Sequence, residues 1–247
     1  MNEQRSLVVI PHYNHSAAIG AVVEQILALD FPVLVVDDGS SSEHLAALKN
    51  LEKQAKEQGK NLQFFYCEQN GGKGAAVKIG FAQAAQRGFS HAIQVDADGQ
   101  HQLQDILLME KLSLQNPQAI ICGNPVYGED APKARLYGRK ITDFWNIIHT
   151  WSLDIKDGMC GFRLYPLASI LPLIKQEKLG DRMDFDTEIL IKAHWHQIPL
   201  IWFDTPVKYA SDGVSHFRVW RDNLMISKMH MFLFFGMLKR LLTGQPR

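Results

Sequence analysis

Asp96-Ala97-Asp98-Gly99-Gln100-His101 follows directly on the apolar run His91-Ala92-Ile93-Gln94-Val95. Two carboxylates at i and i+2 on a loop leaving a buried strand, with an amide and an imidazole close behind, make an oxygen-rich site suited to a divalent ion that holds a diphosphate. Such a site points to nucleotide-sugar chemistry. An acidic turn after a strand is more often a solvated turn or a helix cap, so the pair needs support from the rest of the chain.

Three further stretches carry chemistry. Asp37-Asp38-Gly39-Ser40 ends an apolar run, where an aspartate can accept hydrogen bonds from a base N–H or a ribose hydroxyl; a plain Asp-Gly turn is the bland alternative. Gly71-Gly72-Lys73-Gly74 puts a cation near a helix start, where free N–H groups already favour anions. It is not a Walker loop, because no Ser or Thr follows the lysine and the glycine spacing differs. In Met183-Asp184-Phe185-Asp186-Thr187-Glu188, Asp186 is the candidate general base for a hydroxyl acceptor, with Asp184 behind it. The same acids equally suit the polar first turn of a helix. A phosphate acceptor, already an anion, needs cations instead of a base.

Positioning these groups falls to short β-branched runs at 7–10, 33–36, 62–66, 92–95 and 119–122, which alternate with longer helical patterns. That alternation predicts one α/β domain with a mostly parallel central sheet flanked by helices. Ser40-Ser41-Ser42-Glu43 has the Ser-x-x-Glu form of a capping box, with Leu45, Leu48, Leu51 and Ala55 at helical spacing behind it. Functional loops in open α/β sheets leave the carboxyl ends of strands. Pro11-His12-Tyr13-Asn14, Asp37-Asp38-Gly39-Ser40 and the Asp-x-Asp are therefore expected to converge on one crevice.

The 247 residues suffice for a full core, and Lys+Arg 26 against Asp+Glu 26 argues against a chain built to coat nucleic acid. Cys67, Cys122 and Cys160 lie far apart without metal-ligand spacing, which suggests free thiols in a reducing compartment. The strand-like Leu7-Val8-Val9-Ile10 begins too early for a signal peptide, so a cytoplasmic protein is expected. From Arg218 onward, Arg218, Arg221, Lys228, Lys239, Arg240 and Arg247 face a single acid, Asp222, around an apolar stretch at 229–242. Its uninterrupted run at 231–238 is far short of the ~20 residues of a spanning helix. The expected organisation is a catalytic domain over 1–217 and a basic, apolar helical extension over 218–247. That extension either lies in the plane of an anionic membrane or packs on protein.

Taken in order, Val9-Ile10-Pro11-His12-Tyr13-Asn14, Val35-Val36-Asp37-Asp38-Gly39-Ser40, Asn70-Gly71-Gly72-Lys73-Gly74-Ala75-Ala76 and Val95-Asp96-Ala97-Asp98-Gly99-Gln100-His101 resemble the family 2 glycosyltransferases of the glycosyltransferase-A fold. Within that family the resemblance is to enzymes that make dolichyl- or polyprenyl-phosphate sugars. Gly158-Met159-Cys160-Gly161-Phe162-Arg163-Leu164-Tyr165 is similar to their Ser-Gly-Phe-Arg element, Asp184 to Leu190 to their acceptor-side helix, and Asp212-Gly213-Val214-Ser215-His216 to their Gly-x-Ser-Lys loop.

The resemblance implies that Pro11, Tyr13, Val36 and Asp38 line the nucleoside pocket, and that Lys73, Asp96 and Ala97 belong to the donor site. It implies that Asp98 binds Mn2+ or Mg2+ directly with Gln100 as a further ligand, while Asp96 reaches the ribose or the metal's water shell. It implies displacement with inversion at the anomeric carbon, and it matches Arg163, Arg139 and Lys140 to basic positions that meet an acceptor phosphate.

Departures fall at donor and acceptor positions. His15 replaces the Glu of a Pro-Thr-Tyr-Asn-Glu element, Gly123-Asn124-Pro125 replaces Gly-Ser/Thr-Arg, and Ala210 and His216 replace a late Arg and Lys. Lys133, Arg135 and His216 restore only part of that charge. A uridine- or guanosine-diphosphate sugar, and a polyprenyl phosphate or a lipid hydroxyl, therefore all stay open. Aromatics at Phe144-Trp145, Trp151, Trp195, Trp202-Phe203 and Phe217-Trp220 crowd the expected acceptor side, although core filling is their default role; Phe162 and Phe185 are expected in the core. A sugar nucleotidyltransferase would open with a Gly-rich loop bearing Arg and Lys, which Pro11-His12-Tyr13-Asn14 is not. A non-catalytic nucleotide-sugar-binding partner is the remaining alternative.

Overall fold

The β-branched runs become strands buried on both faces, as a sheet covered by helices on each side requires. The computed structural model describes residues 4–128, 133–207 and 219–246, and within these the side chains of 133–135 and 219–221 are not described. Ala210, Asp212-Gly213-Val214-Ser215-His216, Phe217, Arg218, Arg247 and the side chains of Lys133, Arg135, Trp220 and Arg221 thus lie outside the described residues. So does the expected boundary at 217/218.

The first half reads β1 (Ser6–His12), α1 (Ser16–Leu27), β2 (Val33–Asp37), α2 (Ser42–Glu57), β3 (Leu62–Tyr66), α3 (Lys73–Gln86), β4 (His91–Gln94) and α4 (Ile106–Gln115). The second half reads β5 (Ile120–Tyr127), α5 (Lys133–Thr150), β6 (Arg163–Pro166), α6 (Leu167–Gln176), α7 (Phe185–Trp195), β7 (Leu200–Val207) and α8 (Val219–Thr243). These strands form one seven-stranded sheet in the order β3-β2-β1-β4-β6-β5-β7. β1, β2, β3 and β4 run parallel, whereas β6 is antiparallel to both neighbours, β4 and β5. β7 returns parallel to β5 along its whole length.

Side-chain alternation divides the core in two. Leu7, Val9, Leu34 and Val36 pack with Phe81 of α3 and Phe185 of α7, while Val8, Ile10, Val33 and Val35 pack with Val22 of α1 and Ile106 of α4. Phe162 and Phe185 are fully buried, as expected. The expected strands are all present, but β6 and β7 were not foreseen. β6 is four residues long and sits inside the Gly-Phe-Arg stretch, and β7 holds Trp202-Phe203 together with Pro206, a residue tolerated on the sheet edge that this strand occupies.

The capping box takes a different form from the expected one. α2 starts one residue later with Ser41 at the N-cap and no side-chain cap, because the Ser40 hydroxyl donates to Asp37 Oδ1 at 2.5 Å. The terminal helix α8 buries Met229, Leu233 and Met237 in the main core, so it is fastened to the domain. Among the described residues no helix is long and apolar enough to cross a membrane.

Candidate active site

The carboxyl ends of β1 and β2 are locked together first. His12 Nδ1 lies 2.9 Å from Asp37 Oδ1, and because the His15 N–H donates to His12 Nε2, the ring proton sits on Nδ1. Burial works against the Asp37 charge, but hydrogen bonds from His12 and Ser40 outweigh it and hold the carboxyl below its usual range.

Next to it, Asp38 is only 3% exposed. Its carboxylate accepts from the Gly71 N–H at 2.8 Å, the Gly72 N–H at 2.7 Å and Asn70 Nδ2 at 2.8 Å. Burial dominates these contacts and lifts its pKa above the ordinary value. Asp38 is thus the strut that ties the glycine loop to β2. Around it Pro11 is buried, Tyr13 is partly exposed, and Val36 lies wholly in the core beneath α3. Val36, expected in the nucleoside pocket, therefore offers no side-chain surface there, since it points from a central strand into the helix layer.

The glycine loop delivers Lys73 as the first residue of α3. Gly72 precedes it at φ 109°, and a Cβ there would meet Asp181 O and Arg182 Cγ at 2.5 Å. Only glycine lets the helix start close on the segment before α7, where the Ala75 N–H donates to Asp181 O at 2.9 Å. The Lys73 ammonium then lies 2.7 Å from Asp96 Oδ1 and 2.8 Å from Asp186 Oδ2. Burial alone would favour the neutral amine, but the Asp186 and Asp96 carboxylates raise its pKa well above normal. For Asp96, burial is likewise outweighed, here by Lys73 and His101, and its pKa is driven far down.

One group the sequence reading passed over completes this cluster. Gln94 Nε2 donates to Asp186 Oδ1 at 2.8 Å from a fully buried position on β4. Its signal was an amide set between the apolar Ile93 and Val95. His101 Nε2 lies 3.5 Å from Asp96 Oδ2, and its ring stacks on Phe162 with centroids 4.8 Å apart. Gly161 makes room for the whole arrangement: a Cβ would stand 2.5 Å from Gln94 Nε2 and 2.9 Å from Lys73 Nζ.

The remaining expected residues are spread more widely. Ala97 is 4% exposed and belongs to the core beneath α1 and α4. Asp98 and Gln100 are partly exposed, joined by the Gln100 N–H donating to Asp98 Oδ1 at 3.0 Å. Asp184 begins α7 and accepts from the Arg182 N–H at 3.1 Å. Arg139 pairs with Asp157 Oδ2 at 2.5 Å and lies over the Tyr127 ring, while Lys140 is exposed on α5.

Arg163, matched above to a residue that meets an acceptor phosphate, does not reach the crevice. It is 0% exposed and donates to the carbonyls of Asp186 at 2.5 Å and Gly158 at 3.0 Å. β6 runs through the middle of the sheet with α7 above it, so this side chain is enclosed and fastens α7 to the loop before β6.

Among the described residues no three His, Cys, Asp or Glu side chains are gathered into a metal-ligand set. Asp98 and Gln100 nevertheless offer hard oxygens at partly exposed positions, which fits a divalent ion whose other ligands come from a diphosphate and water. Asp96 is already engaged by Lys73 and His101, leaving Asp98 and Gln100 as the residues that would hold it.

Parallel strands whose carboxyl-end loops gather paired aspartates and a glycine-led lysine define a protein of the glycosyltransferase-A fold. Solved structures agree on that fold. Glucosyl-3-phosphoglycerate synthase from Mycobacterium tuberculosis, crystallised with Mn2+, uridine diphosphate and phosphoglyceric acid, superposes with a TM-score of 0.69 at 13% identity, covering 95% of this chain and 78% of that one. The chain belongs to glycosyl transferase family 2, whose family model matches residues 7–170. A dolichyl-phosphate beta-glucosyltransferase of Dictyostelium discoideum is 28% identical over 216 residues, covering 78% of this chain and 63% of that protein. The enzyme of the same name from Saccharomyces cerevisiae is 23% identical over 252 residues, covering 91% and 74%.

Proposed function

We propose that this chain moves a sugar, with inversion, from a nucleoside-diphosphate sugar to a polyprenyl phosphate at the cytoplasmic face of a membrane, with Mn2+ or Mg2+. The observation that carries the reading is the Lys73 ammonium held between Asp96 of the donor loop and Asp186 of α7. A cation so placed stands where a diphosphate and an incoming phosphate would meet. The names of the Dictyostelium and yeast relatives support a lipid phosphate as acceptor.

In this reading Pro11 and Tyr13 line the nucleoside pocket with their side chains, and Asp38 shapes it by holding the glycine loop. Val36 and Ala97 contribute only backbone. Asp98 and Gln100 hold the ion, which when bound supplies Lewis-acid neutralisation of the leaving diphosphate. Asp186, with both oxygens engaged by Lys73 and Gln94, orients the lysine, while Asp184 shapes the start of α7 and Arg163 fixes α7 from behind. Lys140 and Arg139 supply positive charge on the acceptor side.

Transfer to a polyprenyl phosphate in detergent tests this directly. Asp186→Asn should keep donor binding and lose less than about tenfold in rate, whereas a hydroxyl acceptor deprotonated by Asp186 demands a loss of roughly 10²–10⁴-fold. A thermal-shift series with uridine and guanosine diphosphate identifies the nucleotide. The metal-dependent part of that stabilisation should vanish in Asp98→Ala, and stabilisation unchanged by a chelator would remove the ion from the reading.

A further inference from the structure

α5 is turned inside out. Toward the body it presents Arg139, Thr142, Asp143, Asn146, His149 and Thr150, all buried or partly buried, and both polar atoms of the fully buried Asn146 amide lack a hydrogen-bond partner. Outward it presents Tyr137 at 66% exposure, Ile141 at 62%, Phe144 at 59% and Ile147 at 40%. The chain leaving it continues with exposed Trp151 and Leu153. A surface helix of a water-bathed protein has the opposite polarity.

α8 lies beside it, packed through His230 and Phe234 on Trp145 and His149 of α5. The side of α8 turned away from the core is again apolar, with Leu224, Met231, Phe232, Phe235 and Leu242 exposed. Two exposed lysines, Lys228 and Lys239, sit in that stripe, with the Lys228 ammonium 5.8 Å from the Phe232 ring centroid. Long lysine stems can lie along apolar surface and keep their charge at its border. The described acids of these helices are withdrawn from the face: Asp143 is partly buried and Asp222 is 7% exposed.

We infer that the outer faces of α5 and α8 form one surface that lies flat on an anionic lipid bilayer. Apolar rings for the acyl boundary, lysines for acidic headgroups and no exposed carboxylate within the described helices fit that partner better than a protein surface. Neither helix is long and apolar enough to cross the bilayer, so the contact is in-plane. The inference rests on the lipid-acceptor reading and deepens it. Arg139 of α5 pairs with Asp157, and the main chain at 157–158 is held by Arg163, which also holds Asp186, so the docked face is coupled to the crevice through a short chain of contacts.

Flotation of the full chain with phosphatidylcholine vesicles, with and without phosphatidylglycerol, tests the surface. The protein should float with the anionic vesicles, less with the neutral ones, and less again at high salt. Phe144→Asp and Phe235→Asp should each weaken partition by about tenfold or more while keeping the melting temperature and transfer to polyprenyl phosphate in detergent. Ile141→Ser replaces the first variant should it melt early. Failure of the wild type to float, or a Phe144→Asp protein that floats as well as wild type, would overturn the inference. So would a wild-type dimer that the same substitutions split, with no flotation, since the face would then be covered by a second copy. Flotation without any transfer to polyprenyl phosphate would leave the surface standing and remove the acceptor assignment instead.

Discussion

Replacing Gln94 with leucine would take the N–H from Asp186 Oδ1 and leave the fold intact. The same change removes Gln94 Oε1, a buried acceptor that has no partner, so loss and relief offset each other. Gln94→Leu should therefore alter unfolding free energy by less than about 1 kcal/mol, as measured in denaturant, yet lower kcat by about two- to fivefold, no more than Asp186→Asn, at unchanged donor KM. Equal falls in stability and rate would reduce Gln94 to a packing residue. Asp38→Ala has the opposite signature. It strands the buried Gly72 N–H and takes an acceptor from the Gly71 N–H and Asn70 Nδ2, so denaturant unfolding should show a loss of roughly 1–3 kcal/mol together with weaker nucleotide binding. The sequence made Asp38, Asp96 and Asp98 legible because acids at strand ends are visible in one dimension. It could not display the Lys73–Asp186 pair, whose partners lie far apart along the chain and meet only when α3 closes on α7.

At the scale of elements, the junction of α5 and α8 carries a pH dependence. His149 and His230 face each other at 3.1 Å with both pKa values lowered to about 4, chiefly by burial. A depressed folded-state pKa means that their stabilising contribution is complete above the unfolded value of 6.5 and is lost as pH falls from there toward 4. Stability should therefore drop across that window by on the order of 2 kcal/mol, read as a falling melting temperature, and Trp145, stacked on both rings, should report it by fluorescence. A His149→Phe variant should lose about half of the slope, the buried His230 keeping the rest.

Asp143 on the same helix leans the other way, since burial and the neighbouring Asp157 push its pKa up to about 6. Its penalty grows as pH rises from about 4 to about 6 and is full above, so Asp143→Asn should gain about 1 kcal/mol at pH 7 and nothing at pH 4, judged by thermal melts. Strand and helix periodicity disclosed β1 to β5 and α2, but not the burial of Arg163. An arginine in a short stretch rich in glycine reads as a loop cation until the partner strands on both sides are known.

For the whole molecule, the parallel α/β plan and the convergence of three loops followed from alternation alone, because strand runs and helical patterns succeed one another regularly through residue 122. The second half did not follow, since β6 enters out of sequence order and reverses direction. The terminal helix posed a choice between packing on protein and lying on a membrane. One face of α8 is built into the core, which is the packing alternative, and its other face is left apolar in the open.

The placement of β6 has a consequence for how the chain comes to be folded during synthesis. β3, β2, β1 and β4 can assemble as soon as residue 94 is made, but β5, though made next, has no place beside β4 until residues 163–166 arrive between them. Until then β4 offers a bare parallel edge and β5 waits unpaired, a state open to intermolecular strand pairing. A chain ended after residue 150 should therefore aggregate where the full chain stays monomeric, as sizing of the two products would show. A truncated chain that remained monomeric and folded would mean that β4 is protected by something other than β6.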